Sequence, residues 1–218
     1  MRRSTDSRLV SWIIRIIVIA ALIAAIYFLF FNNGKQRDIA GVPDPIQAEA
    51  EGHVDMEIDD YQIGIDYLMS YDISALVVGT ENYSWGGIGD ELAPRDLALA
   101  WGKVAEFNTK VGFDWSQSGR WYRWKADSYD ALIPVGDVSY VNTHSSNNHL
   151  IPADDIIRKK IKKIKIGDYI HINGYLVSLN GHDDKGNTIE WKSSISREDS
   201  GAHSCELIYV TDLDWISH

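Results

Sequence analysis

The sequence predicts an α+β domain, mostly antiparallel β-sheet with two or three short helices, preceded by one N-terminal transmembrane helix. Three observations lead to this prediction. Residues 9–31 form a long apolar run. The C-terminal half alternates apolar and polar residues with the period of strands. Only short segments carry helical spacing or helix start and stop signals. One membrane segment and one folded domain are therefore expected.

The apolar run at residues 9–31 is interrupted by a single charge, Arg15. As a helix it is long enough to cross about 30 Å of hydrocarbon. It ends in bulky aromatic residues rather than the small residues of a cleavage site, which favours an uncleaved signal-anchor over a signal peptide. The helix is therefore expected to contact the lipid bilayer directly.

Arginines concentrate on the N-terminal side of this run. The positive-inside rule then places residues 1–8 in the cytoplasm and the C-terminal domain outside the membrane. We therefore predict a single-pass protein of the cytoplasmic (inner) membrane whose domain is periplasmic or extracellular. Ala20 and Ala24 lie one turn apart and would let a second copy of the helix approach closely as a homodimer. Alanine that is simply apolar enough for lipid is the alternative.

Beyond residue 37 the chain holds 15 basic and 30 acidic residues. This acidity disfavours nucleic acid as a partner, because phosphate binding needs a basic surface. Residues 38–66 contain no lysine or arginine and include Pro43 and Pro45 near their start. We therefore predict an acidic linker or stalk at residues 32–60 and a globular domain at 61–218. Calcium or partner binding by the acidic run is an alternative to a solvated stalk.

The elements of the domain follow from local patterns. Residues 70–80 form a β-branched run that predicts a buried strand. In residues 94–107, Leu97, Trp101 and Val104 have the spacing of a short amphipathic helix. A second helix is predicted between Pro152 and Gly167. Residues 167–181 and 182–195 predict a hairpin, because turn residues 184–187 separate two alternating segments, and residues 204–210 predict a final strand.

The helix predicted at 152–167 carries the strongest basic patch of the domain. Such a face could contact lipid headgroups or an acidic partner, although a solvated face that complements the helix dipole is the simpler interpretation. The candidates for a partner or membrane surface are Arg158, Lys159, Lys162 and Lys163.

Residues 120–125 bring aromatic and cationic side chains together in the segment RWYRWK. If the segment is a strand, Tyr122 and Trp124 share one face, and Trp121 and Arg123 share the other. Aromatic rings with neighbouring cations suit stacking on a sugar or a peptide. Core packing of one aromatic face is the alternative. The ligand-binding candidates are Arg120, Trp121, Arg123 and Trp124.

Cys205 is the only cysteine of the chain, so no intramolecular disulfide can form. As a nucleophile it would need a histidine base within reach, and His203 or His149 could serve, with Arg197 as a partner for an anion. As a metal ligand it lacks partners at the paired spacing of a zinc site. A buried structural cysteine is the favoured interpretation. No metal and no cofactor are predicted.

Several segments together resemble a widespread set of exported or membrane-anchored bacterial proteins. These are LAPRDLALAWG, QSGRWYRW, NNHLIPAD, GDYIHINGYLV and EWKSSISREDSGAHSCELIYV, between residues 67 and 210. The resemblance implies an envelope-facing domain and brings no catalytic residue with it.

These patterns predict a protein of the bacterial cell envelope that binds or scaffolds, with an envelope protein or a glycan as its partner. The alternative is a cysteine-dependent envelope hydrolase or transpeptidase that uses Cys205.

Overall fold

The computed structural model describes residues 10–23, 34–84, 86–196 and 205–217. Two units are separated in the chain: the segment up to Gly34, and the unit Lys35–His218. In the first unit, residues 10–23 form helix α1, whose large apolar side chains are exposed. Within the described residues, no helix reaches the length and apolarity that a membrane crossing requires.

The second unit contains ten strands and five further helices among its described residues. The strands are β1 (Ile46–Glu49), β2 (His53–Ile58), β3 (Tyr61–Asn82), β4 (Arg95–Ala100), β5 (Asp114–Ser118), β6 (Trp121–Lys125), β7 (Ser145–Pro152), β8 (Tyr169–Asp183), β9 (Thr188–Lys192) and β10 (Glu206–Trp215). The helices are α2 (Ile88–Leu92), α3 (Gly102–Glu106), α4 (Asn108–Val111), α5 (Val138–Thr143) and α6 (Asp155–Ile161), with a short 3-10 helix at Asp130–Leu132. The predicted α+β class with a mostly antiparallel sheet is confirmed, although the helices are more numerous and shorter than expected.

Five of the strands close into a barrel. The sheet runs from β3 through β4, β7 and β10 to β8, and β8 pairs again with β3. All of these pairs are antiparallel except β7 with β10, which are parallel. Closure depends on the 22-residue β3, which pairs with β8 along one edge and with β2, β1 and β4 in turn along the other. The separate hairpin of β5 and β6 lies against this barrel.

The interior of the barrel is apolar because side chains alternate across each strand. Strand β4 pairs with β7, and β7 pairs with β10. The side chains of Leu97 and Leu99 on β4, Leu150 on β7 and Ile208 on β10 are all fully buried in one core. The opposite face of the same strands is polar in part, since Asp96 pairs directly with His149 there. The strands thus have two buried faces, one in the barrel interior and one beneath the β5–β6 hairpin.

The helix predicted over residues 94–107 is wrong in its first half, which forms β4. Leu97 and Trp101 fit a helical spacing, but Leu97 and Leu99 also fit the alternation of a strand, and pairing with β3 and β7 decides for the strand. Helix α3 begins only at Gly102. Long-range pairing therefore overrides the local pattern.

Helix α6 is shorter than predicted. It ends at Ile161 because the buried Arg95 guanidinium donates to the carbonyls that follow the last turn. Nη1 lies 2.8 Å from the Lys162 oxygen and Nη2 lies 2.7 Å from the Ile164 oxygen. These bonds satisfy the free carbonyls of a helix C-terminus. Ile164 is buried beyond the helix end, and Ile156 in the first turn of the helix is exposed.

The residues expected to form a stalk are largely part of the domain. Ile39 and Val42 are buried in the core, and β1 and β2 pair with β3. The acidic side chains alternate with partly buried residues on β2, so its charges remain at the surface while the strand completes the sheet. The predicted domain boundary at residue 61 therefore shifts to Lys35.

The hairpin of β8 and β9 forms where the sequence predicts it. Asp183 closes the turn, since its carboxylate accepts bonds from the Asn187 side chain and from the backbone N–H groups of Lys185 and Asn187. The hydrogen bond from the Asn187 amide lowers the pKa of the Asp183 carboxyl. This hairpin extends β8 beyond the barrel and forms one wall of a cavity that Arg120 and Trp121 also line.

Candidate functional site

A cavity of about 1060 Å³ opens where three parts of the domain meet. These parts are the turn between β5 and β6, the extended β8–β9 hairpin, and the residue that precedes β10. The lining includes six residues that could bind a ligand or react with it: Arg120, Trp121, His149, His182, Trp191 and Cys205. The cavity combines two indoles, two histidines and the only thiol of the chain, so we treat it as the candidate site.

The β5–β6 turn has a strained backbone. Gly119 has φ 60° and Arg120 has φ 71°, which are the two positive values that a type I′ hairpin requires. Arginine in this region costs about 1 kcal/mol, because its Cβ crowds the backbone. The Arg120 N–H donates to Tyr83 Oη at 2.8 Å, and the Arg120 oxygen accepts from Asn147 Nδ2 at 3.1 Å. The backbone is thus fixed on both sides.

The Arg120 guanidinium is fully engaged inside the domain. It forms ion pairs with Asp90 Oδ1 at 2.6 Å and Asp96 Oδ1 at 2.8 Å. It also donates to the carbonyls of Ala93 and Gly89. The guanidinium carbon, Cζ, lies 3.8 Å from the centre of the Tyr83 ring. Burial raises the pKa of the Tyr83 phenol to about 12. Arg120, a ligand-binding candidate from the sequence, therefore anchors the hairpin.

The hairpin makes further contacts with the barrel. Gln117 Nε2 donates to Asn147 Oδ1 at 2.8 Å, and Tyr122 Oη donates to the Ser145 oxygen at 3.1 Å. A Cβ at Gly79 would lie 2.7 Å from Gln117 Oε1, so a larger residue there would require the Gln117 side chain to shift. Burial raises the pKa of Tyr122 to about 12. The hairpin is thus one packed face of the domain.

The remaining candidates of this segment divide between two faces, as predicted for a strand. Trp121 and Arg123 are exposed, whereas Tyr122 and Trp124 pack against the core. Trp124 donates from Nε1 to Asn142 Oδ1 at 3.1 Å and meets the Phe113 ring edge-on. Only Arg120 and Trp121 line the cavity, so the structure separates Arg123 and Trp124 from it.

A histidine and a carboxylate lie together at the back of the cavity. His149 Nδ1 is 2.9 Å from Asp96 Oδ1, and both residues are buried. The contact is close but not aligned as a hydrogen bond, and Asp96 Oδ2 has no hydrogen-bond partner among the described residues. The His149 ring lies 4.8 Å from the Trp191 ring. His149 is therefore held between a carboxylate and an indole.

Cys205 is half-buried and lines the same cavity as His149. Its Sγ lies 3.9 Å from Asn147 Nδ2 and 3.9 Å from the Arg120 oxygen. Of the residues proposed to act with it, His149 shares the cavity, while His203 and Arg197 lie outside the described residues. Asp96 is not among the site residues predicted from the sequence, because it lies in the segment predicted as a helix over residues 94–107. The strand assignment of residues 95–100 brings Asp96 opposite His149.

The basic candidates Arg158, Lys159, Lys162 and Lys163 lie apart from this cavity, on α6 and the turn after it. Lys159, Lys162 and Lys163 are exposed. Arg158 donates to the Glu91 oxygen at 3.2 Å and lines, with Lys162, a second cavity of about 420 Å³. Among the described residues, no cluster of three or more side chains could hold a metal ion.

Comparison of the chain with protein-family models, with curated proteins and with solved structures finds no match. The function is therefore argued from the site.

Replacing Arg120 by alanine should lower the free energy of unfolding by about 3 kcal/mol or more, because it leaves Asp96 charged and buried without its partner. Urea denaturation followed by circular dichroism measures the loss. Arg123→Ala is the matched control, since it removes the same charge from an exposed position of the same hairpin and should change stability by less than about 0.5 kcal/mol. Equal effects of the two variants would show that the buried ion pairs do not stabilise the hairpin.

Proposed function

We propose that this protein is a single-pass, membrane-anchored binding protein of the bacterial cell envelope, whose outer domain takes a ligand into the cavity between Trp121 and Trp191. The observation that carries the proposal is the cavity itself. It has the size of a small-molecule site, and its walls combine apolar rings with polar groups that can orient a ligand.

Two features support the membrane anchor. The run at residues 9–31 is long enough to span hydrocarbon and ends in bulky aromatic residues. The part of it that forms α1 exposes apolar side chains such as Trp12, Ile17 and Ile23. An apolar surface on all sides of a helix is typical of a segment in lipid. Close approach of two copies through Ala20 and Ala24 is part of this proposal, with Ala24 outside the described residues.

The lining of the cavity suits a carbohydrate. Trp121 is 40% exposed, and its ring is available for stacking. Trp191 is half-buried and forms a second aromatic wall. The polar residues Asn180, Glu190 and Lys192 also line the cavity and offer donors and acceptors to hydroxyl groups. Aromatic faces with hydrogen-bonding groups at their edges bind sugar rings on both the apolar and the polar side.

The architecture agrees with this ligand class by analogy. A closed five-stranded barrel of Greek-key type is the form of the OB-fold, whose members bind oligonucleotides and oligosaccharides. Here β7 and β10 are the parallel pair, and α6 connects β7 to β8. The excess of acid beyond residue 37 opposes an oligonucleotide. A glycan of the cell envelope is therefore the ligand that we propose.

A protein partner of the envelope would find a separate surface on α6. Lys159, Lys162 and Lys163 are exposed there beside Ile156, which is 66% exposed. Basic side chains around an exposed apolar residue suit an acidic partner or anionic headgroups. The scaffolding part of the proposal rests on this surface.

Removal of residues 1–33 should release the domain from the membrane fraction, because the buried elements of the domain begin after them. Fractionation of cells that express the full chain or the truncated chain measures the change. In intact spheroplasts, added protease should degrade the full-length domain. Recovery of the full chain in the soluble fraction, or protection of its domain from protease, would contradict the proposed anchor and orientation.

Replacing Trp121 by alanine should weaken binding of an envelope oligosaccharide about tenfold or more, since loss of one stacking ring costs on the order of 1–3 kcal/mol. Titration calorimetry with peptidoglycan fragments of defined length measures the affinity. Trp215→Ala is the matched control, because Trp215 is also 40% exposed but does not line the cavity. Equal affinity of both variants and the parent protein would place the ligand elsewhere.

A further inference from the structure

The cavity contains the parts of a second, chemical activity. Cys205 and His149 both line it, and Asp96 lies against His149 on the side away from β10. We propose that this cavity is a nucleophilic acyl-transfer site, in which Cys205 attacks an ester or thioester carbonyl, His149 is the general base, and Asp96 is the positioning residue.

The strand order sets the direction of the His149 ring. β7 lies between β4 and β10, so His149 faces Asp96 on one side and Leu207 on the other. Nδ1 lies 2.9 Å from Asp96 Oδ1. In an imidazole both nitrogens are bonded to Cε1 and their outward directions diverge, so a ring whose Nδ1 faces Asp96 leaves Nε2 for the cavity that His149 lines. A proton held on Nδ1 by the carboxylate leaves the lone pair of Nε2 free to accept another.

The position of Cys205 suits this base. Cys205 stands two residues before Leu207, the residue that pairs with His149 in the parallel ladder. Cys205 and His149 line the same cavity. His149 is only 3% exposed, and its Nδ1 has no aligned hydrogen-bond partner among the described residues. A buried imidazole that lines the same cavity as a thiol is a group placed to take a proton.

Asp96 is suited to orient the ring, because it is itself fixed. Its Oδ1 receives the Arg120 guanidinium at 2.8 Å, and the residue is fully buried. A carboxylate against the ring stabilises the imidazolium that forms when His149 takes a proton. In the close but unaligned contact of the free protein, a small rotation of the ring would complete the hydrogen bond.

The reaction balances without a cofactor. Cys205 Sγ forms a bond to the carbonyl carbon, the thiol proton passes to His149 Nε2, and the bond to the leaving alcohol or thiol breaks as that group takes the proton. Water then attacks the thioester carbon and gives one proton to His149. The carbon–sulfur bond breaks, the carboxylic acid leaves, and the proton returns to Cys205. This activity goes beyond ligand binding and does not rest on it, because a small ester needs no contact with Trp121.

The test uses the full-length protein and p-nitrophenyl acetate. Cys205 is the only cysteine, so intact-mass spectrometry reports its acetylation once the same measurement on Cys205→Ser is subtracted. We expect the folded protein at neutral pH to acetylate about tenfold or more faster than the chain denatured in guanidinium. His149→Gln should remove this advantage. The matched control is His171→Gln, a histidine of β8 that does not line the cavity, which should retain it.

Asp96→Asn should shift the pH dependence of acetylation, a result that loss of packing alone would not produce. If His149→Gln fails to fold, the comparison of folded and denatured wild type still decides. Folded protein that acetylates no faster than the denatured chain would overturn the proposal, as would equal rates for the folded His149→Gln and His171→Gln variants. Either result would leave the oligosaccharide titration of the Trp121 variant unaffected, so failure of one proposal is distinguishable from failure of the other.

Discussion

The ion pairs of Arg120 with Asp90 and Asp96 are the interaction on which the site depends. Asp96 is fully buried, and a buried carboxylate is tolerated only with a partner that replaces its hydration. Arg120 supplies that partner from the tip of the β5–β6 hairpin. The same guanidinium therefore compensates the charge in the barrel wall, fixes the hairpin over it, and forms one side of the cavity.

The strain of the β5–β6 turn is consistent with this role. Arginine at φ 71° is unfavourable, and the turn persists because contacts with Tyr83, Asn147 and the two carboxylates over-determine its position. Residues held in such conformations often occur at binding and catalytic sites. The two chemical proposals share this framework. Trp121 follows Arg120 directly and is turned to the cavity, while Asp96 on the other side of the ion pair contacts His149.

Some of the fold could be predicted from the sequence because local chemistry specifies it. The β8–β9 hairpin is marked by alternation and by turn residues, with Asp183 in position to accept bonds from the turn. The division of residues 121–124 between two faces also follows from the period of a strand alone. Strand β4 could not be predicted in the same way, since the spacing of Leu97 and Trp101 fits a helix. Only the pairing of this segment with β3 and β7 selects a strand instead.

The site itself required the tertiary structure. The sequence analysis identified Arg120 and Trp121 by type, but the carboxylates that engage Arg120 lie on α2 and β4 and carry no local signal. His149 was one of several histidines that could approach Cys205, and the parallel pairing of β7 with β10 selects it. The acidic residues of β2 favour a stalk when only the charge pattern is considered. That pattern does not show that the residues alternating with them are partly buried.

The most direct test of this account is the coupling energy between Arg120 and Asp96, measured by a double-mutant cycle of unfolding free energies. Arg120→Met retains much of the apolar stem of the side chain, and Asp96→Asn retains its shape, so the cycle isolates the charge interaction. The account predicts a coupling of about 2 kcal/mol or more, with each single variant less stable than the wild type and the double variant partly restored. A coupling near zero would contradict it, and would mean that the hairpin and the cavity are held by packing alone.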